Sequence, residues 1–266
     1  MVTTSREARI LGPSAWASAA RRQIAEIARH DRNCLIVGPR SSGRSVLARG
    51  IHERSSRHGR PFIPIRCDLL PSHIFSSQVL GCVDGALSAT SKATLGAARA
   101  ADGGTLYLGH VDQLDALSQW ELFGFLANSG IRPVGGRQVV PVDVRLIASC
   151  SDDIFEAIKL GQFDVDLFDQ LSRCVVETVT LNERTEDIPV LAAHFLNAGC
   201  SRRRLAEKRL EPSAIDWLQS QEWPGNLGQL RGLIESLVED GCADSIDHET
   251  IRVWLANREG RPILPR

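Results

Sequence analysis

Apolar residues recur with helical spacing over residues 14 to 29, at Trp16, Ala19, Ala20, Ile24, Ile27 and Ala28. A short apolar run, Cys34-Leu35-Ile36-Val37, then stops at Gly38, and a second helical stretch covers Ser45 to Arg54. Four further runs read as strands: Phe62 to Cys67, Thr105 to Leu108, Val142 to Ala148 and Val175 to Thr180. Pro64 lacks an N–H, which marks the Phe62 run as an edge strand. Short apolar strands alternating with helices imply a parallel sheet covered on both faces.

Beyond about Ile188 the strand signal ends and only helices are expected. Ile188 to Asn197 is one, and Pro212 to Gln219 another, with proline at the helix start. After a turn at Trp223 to Asn226, the residues Leu227, Leu230, Leu233, Ile234, Leu237 and Val238 make an amphipathic helix ended by Gly241. The expected division is an α/β domain over 1–190, a helical subdomain over 191–241 and a short tail over 242–266. One helix is expected in the tail, His248 to Asn257, too small to be a helix-turn-helix by itself.

Composition narrows the functional classes. The 266 residues carry 31 Lys plus Arg against 32 Asp plus Glu, so surplus basic charge for polyanion binding is missing. Only three of the basic residues are lysines, Lys92, Lys159 and Lys208, and 28 are arginines. No apolar run approaches the ~20 residues that span a bilayer, and no leader is evident, so a soluble cytoplasmic chain without a membrane partner is expected. Seven cysteines without a CxxC pair indicate neither a disulfide framework nor a zinc site. The run Arg202-Arg203-Arg204 with Lys208 and Arg209 reads as a solvated surface. Trp217 and Trp223 read as core anchors.

The first strand leads into Gly38-Pro39-Arg40-Ser41-Ser42-Gly43-Arg44-Ser45 and then a helix. That context suits a P-loop, GxxxxGK[ST], whose backbone N–H groups and helix dipole hold phosphate. Ser45 would ligate magnesium if a nucleotide binds. The lysine position holds Arg44, whose planar fork is bulkier than an ammonium.

With further blocks in order, the chain resembles the AAA+ ATPase domain of bacterial sigma-54-dependent transcription activators over about residues 10 to 240. The blocks are Ala48 to Arg57 ("AR-IH--S-R"), Pro61-Phe62 with Cys67, Asp102 to Leu108 ("-GGTLFL"), Asp143 to Ser149 ("DVRLIA-"), Glu183 to Ile188 ("ER-EDI") and Trp223 to Leu227 ("WPGN-"). The resemblance implies a three-layer αβα P-loop domain with a five-stranded parallel sheet and a small helical lid. It also implies a ring of subunits with ATP between them.

Departures from the family pattern fall on chemistry. The family's "LFLDEI" ends here in Gly109 and His110, where an aspartate would support the metal and a glutamate would orient water. The two arginines that the family applies to a neighbour's ATP align with Asp164 and Gln170, and the lid's sensor arginine with Gly228. The sigma-54 contact loop "GAFTGA" becomes Gly85-Ala86-Leu87-Ser88-Ala89-Thr90, which keeps an apolar tip without the aromatic. The leading expectation is a pseudo-ATPase: a transcription-regulatory module that binds ATP or ADP, does not hydrolyse it, and acts through protein contacts. Two alternatives stand beside it: a working ATP-hydrolysing activator, and a structural subunit of a mixed ring that binds no nucleotide. Expected partners are sigma-54 or related AAA+ subunits, in a homo- or hetero-oligomer. No autonomous DNA-binding domain is seen.

Overall fold

A computed structural model of the chain describes residues 9–88, 90, 92–128, 130–241 and 243–256. Five strands form one parallel sheet: β1 (Cys34–Val37), β2 (Phe62–Arg66), β3 (Thr105–Gly109), β4 (Arg145–Cys150) and β5 (Val175–Glu177), in the order β2-β3-β4-β1-β5. β2 lies at an edge, as Pro64 requires; Pro64 pairs in register with Tyr107. The helices used below are α1 (Ala15–Ile27), α2 (Arg44–Arg54), α3 (Ala116–Asn128), α4 (Val165–Leu171), α5 (Ile188–Arg203), α6 (Pro212–Ser220), α7 (Asn226–Glu239) and α8 (His248–Ala256). No helix among the described residues is long and apolar enough to cross a membrane.

The chain forms two compact units. The first contains Arg22–Gly38 and Arg44–Thr178; the second contains Ile10–Arg21, Pro39–Gly43 and the described part of Val179–Arg266. In the first, Leu35, Val37, Leu106, Leu108, Leu146 and Ala148 bury the central strands among helix residues such as Leu122, Phe125 and Leu167. Burial on both faces is why these strands read as continuous apolar runs. In the second, Leu191, Leu196, Leu218, Trp223, Leu230, Leu233 and Leu237 make a separate core. Trp223 anchors it, its indole N–H donating to the Leu218 carbonyl at 2.9 Å.

Several sequence blocks turn out to be packing devices of the first unit. Arg57 donates to the carbonyls of Gly104 and Asp143 and to the Asp31 and Asp143 carboxylates, which raises its own pKa. A Cβ on Gly104 would lie 2.1 Å from the Pro61 carbonyl oxygen, so only glycine fits there. Buried His52 hydrogen-bonds the Thr105 hydroxyl at 2.9 Å.

Three expectations need correction. The region after Ile188 is not wholly helical: Arg209–Leu210 and Ser245–Ile246 form a short parallel pair. The run read from Val142 pairs only from Arg145, because Arg57 ties up the Asp143 main chain and side chain. α5 continues past Asn197 to Arg203, ending at Arg204 in the left-handed region. Of the last predicted helix, Asn257 lies outside the described residues.

Candidate functional site

The phosphate-loop segment follows β1. Gly38 has φ +151, and a Cβ there would meet the Thr178 hydroxyl at 2.0 Å, so glycine is obligatory. Ser41 (φ +58) and Gly43 (φ +111) place left-handed residues within the turn, the backbone alternation that makes an anion-binding nest. Pro39 is half-buried, Arg40 and Ser41 are exposed and Ser42 is buried. Within the second unit, three consecutive carbonyls of this turn each receive a donor. Asn226 Nδ2 donates to Arg40 O at 3.0 Å, Leu227 N to Ser41 O at 3.2 Å, and Arg184 Nη2 to Ser42 O at 2.5 Å. A trans peptide points its N–H opposite its C=O. The amides of Ser41 and Gly43 therefore face away from these donors, as a phosphate cradle needs.

Arg184 carries more of this arrangement than the sequence reveals. It is 3% exposed, stacks 4.0 Å over the Trp16 ring, and burial lowers its pKa to about 10. Asn226 also adopts φ +51 and accepts from Leu181 N at 2.8 Å. In sequence, Asn226 falls in the Trp223 to Leu227 block and Arg184 in the Glu183 to Ile188 block, and nothing local to either signals its contact with the turn. A Cβ at Gly228 would come within 3.0 Å of Ser41 Oγ, so the glycine at the sensor position admits close contact with the turn.

In the first unit, the two substituted catalytic positions meet. Arg44, which opens α2, is 5% exposed, and its Nη2 donates to His110 Nδ1 at 3.2 Å. A guanidinium has no acceptor, so this contact fixes His110 as the neutral Nε2–H tautomer. Burial first, then the Arg44 charge, lowers the His110 pKa. Arg44 Nη1 is buried without a hydrogen-bond partner. His110 itself is held at φ +61 directly after β3. Gly109 is buried, and a Cβ there would make only ordinary contacts, the nearest at 3.4 Å from Tyr107 Oη. Ser45 is exposed on the first turn of α2.

The remaining predicted positions have local roles. Asp164 caps α4, its Oδ1 accepting from Leu167 N at 2.7 Å. Gln170 Oε1 accepts from Arg173 at 3.3 Å. In the partner loop, Gly85, Leu87, Ser88 and Thr90 are exposed and Ala86 is half-buried; Ala89 lies outside the described residues. Leu87 is 55% exposed. A bridge between Cys82 and Thr94 closes the base of this loop. The basic run pairs with acids: Arg202 with Glu235, Arg203 with Glu239, Lys208 with Asp244 and Arg209 with Glu211.

The donor chemistry of the turn, backbone amides beside left-handed residues, fits phosphate oxygens. No carboxylate stands at Gly109 or His110, and no cluster of three His, Cys, Asp or Glu side chains occurs among the described residues.

Comparisons with known proteins show the family and the fold. A family model described as the Sigma-54 interaction domain matches residues 10–177, and one described as an AAA+ ATPase lid domain matches 182–260. The transcriptional regulatory protein ZraR of Salmonella typhimurium is 36% identical over 216 residues, covering 81% of this chain and 49% of the relative. The response regulator protein PilR of Pseudomonas aeruginosa is 34% identical over 259 residues, covering 96% and 58%. This chain thus spans about half the length of the curated relatives it matches. Among solved structures, NtrX from Brucella abortus in complex with ADP aligns with a TM-score of 0.83 at 29% identity, covering 94% of this chain and 56% of that one. Its complex with ATP aligns with a TM-score of 0.82.

Proposed function

The chain belongs to the sigma-54 interaction domain family and carries an AAA+ lid, and on that premise we propose a nucleotide-binding module that does not hydrolyse what it holds and acts in transcription control through protein contacts. The single observation that carries this reading is the Arg44–His110 pair. Phosphoryl transfer depends on positioning and on charge stabilisation, with a metal and an oriented water. His110 offers neither negative charge nor a basic nitrogen: Nδ1 is occupied by Arg44, and Nε2 carries the proton. Arg44 retains a buried, unpartnered Nη1 for a phosphate oxygen. That NtrX is solved with ADP and with ATP supports the binding half of the proposal.

The trans cation is missing as well. Such an arginine contributes on the order of 10³ to 10⁵ in rate in phosphoryl-transfer systems. Here Asp164 is engaged in capping and Gln170 is neutral. With glycine and a neutral histidine at positions 109 and 110, the turn amides are the proposed phosphate cradle. The segment Gly85 to Thr90, in which Gly85, Leu87, Ser88 and Thr90 are exposed, is the surface proposed for sigma-54 or for a related AAA+ subunit in a homo- or hetero-oligomer.

Calorimetry with ATP and with ADP, in magnesium and in EDTA, tests binding; phosphate release at high protein concentration tests turnover. The expected result is binding of both nucleotides with little change in EDTA, and phosphate release at the level of buffer. Magnesium-dependent turnover would establish a working ATPase instead. Absence of binding under all four conditions would leave the structural-subunit reading.

A further inference from the structure

Parallel strands β1 and β5 pair Leu35 with Val175. One residue earlier on each stand Cys34 and Cys174, and Leu35 N donates to the Cys174 carbonyl at 2.8 Å. Residues at matched register point to the same sheet face, and neighbouring strands lie about 4.8 Å apart. That spacing is within the roughly 4.4 to 6.8 Å between the Cα atoms of bridged cysteines. Cys34 is fully buried and Cys174 half-buried, so one sulfur is sheltered and the other reachable.

A third group makes this pair unlike the other described cysteines. Arg145 is 1% exposed, and its hydrogen bonds among the described residues go to main-chain carbonyls alone: Nε to Arg32 at 3.3 Å and Nη2 to Ile27 at 2.9 Å. Its Nη1 has no hydrogen-bond partner. Asp31, the carboxylate whose charge acts on Arg145, is ion-paired with Arg57 at 2.5 Å. A buried cation without its own anion is costly, and a negative charge developing on the cysteine pair is favoured by its field. The charged groups bearing on the pair are thus Arg145 and Arg32, with Asp31 and Arg57 acting on Arg145. The Cys34 thiol, followed by Arg145 and Arg32, lowers the Cys174 pKa; the Cys174 side chain and burial raise that of Cys34.

We propose that Cys34 and Cys174 form an oxidation site for peroxides, with Cys174 as the attacking thiolate and Cys34 as the resolving thiol. The Cys174 sulfur attacks one peroxide oxygen: an S–O bond forms, the O–O bond breaks, and hydroxide leaves. The Cys34 sulfur then attacks the Cys174 sulfenic acid. An S–S bond forms, the S–O bond breaks, and the departing hydroxide takes the Cys34 proton as water. Two electrons pass from the sulfur pair to one peroxide. The product fastens edge strand β5 to its one neighbour, β1. This inference is independent of whether nucleotide binds.

The test titrates the reduced chain with hydrogen peroxide, blocks remaining thiols with iodoacetamide, and maps peptides without reduction. The expected result is a Cys34–Cys174 linked peptide, a loss of about 2 Da per chain, and reversal by dithiothreitol. In Cys34→Ser the same treatment leaves Cys174 as a sulfenic acid that dimedone traps; in Cys174→Ser neither bridge nor adduct forms at position 34. Alkylation of Cys174 should already be fast at pH 7. Bridges scattered over other cysteines, or Cys174 alkylation that rises only near the ordinary thiol value of about 8.5, would overturn the proposal.

Discussion

At the scale of the residue, one hydrogen bond decides what His110 is able to do. Because Arg44 only donates, His110 must accept at Nδ1, and protonation of the ring breaks the contact and sets two cations together. Burial first, and then the Arg44 charge, hold its folded pKa below the unfolded value of about 6.5. Below that value the unfolded chain binds the extra proton first, so stability is fully present above about pH 6.5 and declines as pH falls. His52, lowered chiefly by burial, acts in the same direction. Thermal melts from pH 7.5 to 5 should show this decline, and His110→Gln should make it shallower; an unchanged slope would remove His110 from the explanation. Arg44→Ala should weaken ADP binding by roughly 10-fold or more, the scale of one charge-assisted hydrogen bond, as read by calorimetry. Restoring Lys, Asp and Glu at positions 44, 109 and 110 together should leave phosphate release near zero, because Asp164 and Gln170 supply no cation. A Cβ at Gly109 makes only ordinary contacts, so the backbone there accepts a side chain.

Elements show why some of this was legible and some was not. The phosphate turn announces itself because glycine is needed at Gly38 and Gly43 and the strand and helix flank it in sequence. The blocks around Arg57, Gly104 and His52 are legible for the same reason, since each answers a fixed steric or hydrogen-bonding demand. Arg184 was not legible as part of the turn: its contact with the Ser42 carbonyl crosses 142 positions. The two-residue strands Arg209–Leu210 and Ser245–Ile246 are too short to carry a period. Asp164 presents the opposite case, a residue whose alignment marks a loss while its place at the start of α4 gives it a cap. Asp164→Ala should cost about 1 kcal/mol, a fall in Tm of roughly 2 to 4 °C, measured by calorimetric melting. Asn226→Ala should cost more, about 2 to 4 kcal/mol, because it strands the Leu181 amide and the Arg40 carbonyl and places alanine at positive φ. A melting temperature equal to that of the parent would show that the turn is not held this way.

Across the whole molecule, the chain matches the sigma-54 interaction family and the AAA+ lid, and the proposal of lost hydrolysis rests on a few positions within that match. Arginine is abundant, with 28 copies, yet none occupies positions 164, 170 or 228. Those three absences are not compositional. The two compact units each keep a full apolar core, so the departures have not been accompanied by loss of the fold. A module of this kind fits regulation by occupancy better than regulation by turnover. The most direct test mixes the protein in excess with ATP and magnesium, separates the protein-bound nucleotide after a long incubation, and identifies it. Intact ATP recovered on the protein is the predicted result; bound or released ADP above a protein-free control, or no retained nucleotide at all, would contradict it.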